Sequence, residues 1–90
     1  MPLYAIICRD KPGQLQTRLD TREAHLAHIR DSGIVRMAGP FVEDGQMCGS
    51  LVVVEADDLA GARAWAEADP YRAAGLFAST EVIEWKQVIG

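Results

Sequence analysis

Arg22 and His25 stand three residues apart in a segment of helical periodicity, and Asp69 closes a second such segment just before Pro70. Taking Leu19 as origin, steps of about 100° per residue put Arg22 near 300° and Leu26 near 340°. On the same wheel Ile29 falls at about 280° and His25 at about 240°, so Arg22 lies inside the apolar stripe and His25 at its edge. On the second segment, with Leu59 as origin, Asp69 falls at about 280° beside Ala62 and Ala66, on the buried edge. A charged group facing a core must find a partner or line a cavity, because burying it unpaired is costly. Brought into one cleft, the three form a small acid–base site. The Asp69 carboxylate would fix the tautomer of His25 and favour its charged form, His25 would move a proton, and Arg22 would hold an anionic oxygen.

Each residue also has a plainer use. An Asp before a Pro commonly accepts backbone hydrogen bonds at a turn; His25 suits a hydrogen-bonded core edge, and Arg22 a structural partner for Asp69. His28, near 180° on the same wheel, points toward solvent and is the weaker histidine. Ser50 follows Gly49 at the start of a strand and can orient a ligand through its hydroxyl; no nucleophile elbow surrounds it. Gly39-Pro40 ends a strand and lacks the glycines and lysine of a phosphate loop. Trp65, Trp85, Met37 and Met47 read as packing residues.

The elements that position these residues follow from the apolar pattern and its punctuation. A strand over Leu3 to Cys8 ends at the turn Asp10-Lys11-Pro12-Gly13. A helix from Gln14 or Leu19 to Asp31 is closed by Gly33. A strand over Ile34 to Ala38 is broken at Gly39-Pro40, and Glu43-Asp44-Gly45 makes a solvated turn. Ser50 to Glu55 is a third strand, Asp57 or Asp58 caps a helix running to about Ala68, and Glu81 to Ile89 is the last strand. This β-α-β-β-α-β order predicts an α+β, ferredoxin-like domain, an antiparallel sheet with both helices on one face. The first and third strands, expected at the centre, are almost continuously apolar, where a strand with one wet face would alternate. A second copy of the chain covering the open face is therefore expected, giving a homodimer with packed sheets.

Ninety residues, 49% of them hydrophobic and 24% charged, suit one folded domain spanning residues 1–90. A net charge of -4 without a dense Lys/Arg cluster argues against nucleic acid as the partner. No signal peptide and no membrane-spanning apolar run is visible, so a cytoplasmic protein is expected. Cys8 and Cys48 stand alone on strands, without zinc-site spacing, and read as free thiols; neither metal nor cofactor is expected.

The set Arg22-x-x-His25-Leu26, Gly39-Pro40, Gly49-Ser50, Asp69-Pro70-Tyr71, Ala74-Gly75-Leu76 and Trp85 resembles the YCII-related (YciI-like) domain family over nearly the whole chain. The resemblance implies a ferredoxin-like dimeric α+β barrel, related in fold to muconolactone isomerases. It also implies a His–Asp pair in a pocket, here His25 and Asp69 with Arg22 and Ser50 beside them. One branch of the family resembles dehydrochlorinases of chlorinated hydroxyquinols. The function expected is a cofactor-independent lyase or isomerase moving a proton on a small aromatic or anionic molecule. The alternatives are a non-catalytic dimeric module that binds a small ligand or a partner, its polar cluster locking helices to sheet, and an oxygenase-type or heme-degrading barrel.

Overall fold

The computed structural model of the chain describes residues 1–90. Seven elements run in the order β1 (Leu3–Asp10), α1 (Leu15–Ser32), β2 (Val35–Glu43), β3 (Gln46–Glu55), α2 (Leu59–Glu67), α3 (Pro70–Ala73) and β4 (Phe77–Trp85). The strands form one antiparallel sheet in the order β2-β3-β1-β4, with β1 and β3 central. This is the ferredoxin-like α+β fold.

Local chemistry sets most boundaries. Gly33 closes α1 in the left-handed conformation (φ 68°), where a Cβ would be strained. Asp44 and Gly45 both take positive φ, as the tight turn of the β2–β3 hairpin demands. Asp58 caps α2 by accepting the Gly61 N–H at 2.8 Å.

Three expectations about elements are corrected. Gly39-Pro40 does not break β2: the strand runs on to Glu43, with Pro40 opposite Ser50. β2 is an edge strand, where a proline without an N–H costs no ladder bond on the open side. Pro70 does not only end a helix; it begins α3, its missing N–H being one that the first turn leaves unbonded anyway. The last strand is Phe77–Trp85 rather than Glu81 to Ile89, because β1 is its only pairing partner and Leu3, the first residue of β1, sits opposite Trp85.

Alternation divides the sheet into two faces. Tyr4, Ile6 and Cys8 of β1 and Val52 and Val54 of β3 pack under the helices with Ala56, Ala62, Trp65 and Ala66. The other face carries Ala5 and Ile7 of β1, Leu51 and Val53 of β3, and their ladder partners Met37 and Ile83. Met37 and Ile83 are 47% and 50% exposed. No helix is long and apolar enough to cross a membrane.

Candidate functional site

His25 and Asp69 meet. They come from α1 and from the cap of α3, 44 residues apart, and His25 Nδ1 lies 2.8 Å from Asp69 Oδ1, with both side chains buried. The same oxygen accepts the Tyr71 N–H at 2.9 Å, so Asp69 serves at once as helix cap and as imidazole partner. Because a carboxylate only accepts, the shared proton belongs to Nδ1 and the lone pair to Nε2. Tyr71 stacks on the imidazole, ring centroids 4.0 Å apart, which holds the ring plane.

His25 faces a cavity of about 180 Å³ between α1 and the β2–β3 side of the sheet. Arg18, Arg22 and Ser50 supply the rest of its polar lining; Leu26, Ile29, Pro40, Met47, Val52 and Tyr71 line it with mostly apolar surface. Nε2 has no partner within the chain. Two larger grooves, about 390 and 410 Å³, lie elsewhere on the surface and contain no histidine.

Arg22 departs from its expected place in two respects. It lines the cavity, but it is exposed rather than core-facing, and it makes no ion pair with Asp69. The buried arginine is Arg18. Its Nε and Nη2 donate to the two oxygens of Asp10, both at 2.7 Å, and Nη2 also donates to Ser50 Oγ at 2.9 Å. The guanidinium carbon sits 4.7 Å from the centre of the Tyr71 ring. Burial works against the charge of Arg18, but the hydrogen bonds and the charge of Asp10 outweigh it and raise its pKa.

The wheel that singled out Arg22 carried the signal for Arg18. With Leu19 as origin, Arg18 falls near 260°, between His25 and Ile29. Leu19 does not belong to the inward face: it is 47% exposed, and the inward face of α1 is marked by Arg18 and His25, seven residues apart. A helix that turns polar residues to the sheet has no apolar stripe to read.

Burial raises the Tyr71 phenol and pushes the Cys8 thiol up to about 11, so both stay protonated near neutrality. His28 stacks on Trp65, and its Nε2 lies 3.1 Å from the Trp65 carbonyl oxygen, a structural contact between α1 and α2. Cys8 and Cys48 are free. No three His, Cys, Asp or Glu side chains converge as metal ligands. The donors that reach the cavity are cationic or hydroxylic, which suits an oxygen-bearing, electron-rich ligand.

The profile of the YCII-related domain matches residues 2–86. The chain belongs to the YCII-related domain family. It is 40% identical to the protein YciI of Escherichia coli over 96 aligned positions, which cover 96% of this chain and 98% of that protein. Among solved structures, 5-chloro-2-hydroxyhydroquinone dehydrochlorinase from Burkholderia phenoliruptrix, in complex with 2,5-dihydroxybenzoquinone, is 36% identical with a TM-score of 0.85. That match covers 94% of each chain. An antibiotic biosynthesis monooxygenase superposes with a TM-score of 0.62 at 13% identity, covering 99% of this chain and all of that one, a likeness of fold alone.

Proposed function

We propose that this YCII-family chain is a cofactor-independent enzyme that moves a proton on a small, oxygen-bearing molecule, in a lyase or isomerase reaction. The observation that carries the reading is the buried His25–Asp69 pair, with Nδ1 taken by the carboxylate and Nε2 left unbonded in a cavity. His25 Nε2 takes the proton, Asp69 holds the imidazole and stabilises the imidazolium that forms, and Arg22 and Ser50 hold a substrate oxygen. Positioned proton transfer of this kind contributes about 10²–10⁴ in rate, enough for an activated substrate without a metal.

The cavity limits the substrate. An apolar cavity of about 150 Å³ accepts a benzene ring, so about 180 Å³ fits one substituted six-membered ring. The related dehydrochlorinase in complex with a dihydroxybenzoquinone supports a hydroxylated ring as the substrate class. On such a ring a hydroxyl proton is first moved to the chlorine-bearing carbon, giving a keto tautomer in which that carbon is tetrahedral. His25 then takes the proton of the hydroxyl para to the new carbonyl, the electron pair shifts through the intervening double bond, and chloride leaves from the tetrahedral carbon to give a quinone. Atoms and charge then balance as elimination of H–X. The non-catalytic reading has less support, since its signature, Arg22 and Asp69 saturating each other, is not what the side chains do.

The test is turnover of 5-chloro-2-hydroxyhydroquinone and other halogenated or enolisable phenols, followed by halide release and by solvent-deuterium exchange. His25→Ala and Asp69→Ala should each lose at least about 100-fold in kcat/KM on whichever compound the wild type turns over. Unchanged turnover in both variants would falsify the proton-transfer role. The assembly proposed is a homodimer formed through the open face of the sheet.

A further inference from the structure

We propose that Asp10 and Arg18 form a positioning pair that fixes Ser50 as a hydrogen-bond donor into the cavity, so that the site selects ligands presenting an acceptor oxygen at that point. The inference rests on the cavity being the ligand site, and it adds a polarity that the reading above leaves open.

Ser50 is 3% exposed and is one of the residues lining the cavity. A hydroxyl has one proton to give and two lone pairs to offer. Arg18 uses one of those lone pairs, donating from Nη2 at 2.9 Å. A guanidinium has five N–H donors and no acceptor, so the Ser50 proton cannot be directed at it. No other group in the chain accepts that proton. A buried hydroxyl whose proton has no partner in the protein is completed by the ligand or by water in the cavity.

Arg18 cannot swing away and release this arrangement. Both Asp10 oxygens hold it at 2.7 Å, and the Tyr71 ring lies against its face. Asp10 also neutralises its charge, so Arg18 sets direction while the unpaired Arg22 at the rim supplies the free positive charge. The backbone beneath Ser50 is equally fixed. At the neighbouring Gly49 a Cβ would lie 2.3 Å from the Cys8 carbonyl oxygen, so β1 and β3 approach there more closely than any other residue allows. The cavity thus offers an acceptor at His25 Nε2 and a donor at Ser50. The ligand class that satisfies both carries a hydroxyl and a carbonyl or oxyanion on one small frame.

The experiment is calorimetric titration of the folded protein with 2,5-dihydroxybenzoquinone and, separately, with 4-hydroxybenzoate, on wild type, Ser50→Ala, Arg18→Met and the double variant. Ser50→Ala removes one oxygen and should weaken binding about tenfold, the size of one hydrogen bond to an ionised oxygen. Arg18→Met should weaken binding by a similar factor, and the double variant should be no weaker than Ser50→Ala alone, because Arg18 acts through Ser50. The ¹⁵N shifts of His25 should not move in Ser50→Ala. Ser50→Ala binding as tightly as wild type overturns the inference while leaving the His25 proposal standing, and it does so even if Arg18→Met does not fold. Additive losses in the double variant overturn the positioning role of Arg18. A wild type that binds neither compound overturns this inference together with the reading of the cavity.

Discussion

At the scale of single residues, the site depends on one oxygen doing two jobs. Asp69 Oδ1 accepts both the Tyr71 N–H that starts α3 and the His25 Nδ1–H. Capping α3 and holding the imidazole are therefore not alternatives for Asp69, and a substitution separates them. Asparagine is as good a helix cap as aspartate. An amide partner, however, carries no charge to stabilise the imidazolium. Asp69→Asn should keep most of the stability, within about 1 kcal/mol of wild type by urea denaturation, since the cap survives. The same variant should lose turnover for want of the charge, while ¹⁵N shifts show neutral His25 still protonated at Nδ1, because the amide oxygen that caps α3 also only accepts. Asp69→Ala should lose both, the cap alone accounting for about 1 kcal/mol. If Asp69→Asn were as unstable as Asp69→Ala, the cap would not be the stabilising part. His25 and Asp69 could be singled out from sequence because each sits at a position where its plain use leaves a polar atom pointing inward. Arg18 escaped because its partner Asp10 lies in what reads as a turn, and opposite charges eight positions apart look like solvated surface until β1 is known to extend to Asp10.

At the scale of elements, the order of strands and helices was legible because each is bounded by residues with one strong local preference: Gly33 after α1, Asp44-Gly45 in the hairpin, Asp58 before α2. What was not legible depends on pairing, which no local signal carries. β2 continues through Gly39-Pro40 because β3 is there to pair with it, and β4 begins at Phe77 because Asp10 lies opposite. Two glycines show the difference between local and tertiary demand. Gly39, on the edge strand, has nothing within 4 Å of where a Cβ would stand. Gly49, between the central strands, has the Cys8 carbonyl oxygen at 2.3 Å and a Phe41 side-chain carbon at 3.0 Å. Backbone cannot yield as a side chain can, so Gly49→Ala must push β1 and β3 apart beside Ser50. It should cost about 1–3 kcal/mol, the range for overpacking, and should weaken ligand binding as well. Gly39→Ala should be within about 0.5 kcal/mol of wild type, as substitutions away from close contacts are. Equal denaturation midpoints for the two variants would mean that the strands have slack at Gly49.

At the scale of the whole molecule, the helices cover one face of the sheet and leave the other apolar. Met37, Ile83 and Trp85 are 47%, 50% and 38% exposed there, around the central residues Ala5, Ile7, Leu51 and Val53. A contiguous apolar face of this kind is poorly tolerated in contact with water and is normally covered by a partner. A second copy covers it most simply, since a two-fold axis through the sheet sets like against like and each apolar patch meets its own image. The cavity opens on the opposite, helix-bearing side, from Ser50 and Val52 toward α1, so pairing through the open face leaves the cavity accessible in both copies. Assembly and binding should therefore be separable. Light scattering should give the wild type a mass of twice 9.8 kDa, and its thermal midpoint should rise with protein concentration, as mass action requires of a dimer. Ile83→Glu sets a charge in the middle of the contact, where burying it unpaired costs far more than the lost isoleucine surface. That variant should run as a monomer with a concentration-independent midpoint, yet titrate with 2,5-dihydroxybenzoquinone as the wild type does. A wild type of single-chain mass would show that the apolar face is not closed by a second copy. A monomeric Ile83→Glu that has lost the ligand would show instead that the partner contributes to the site.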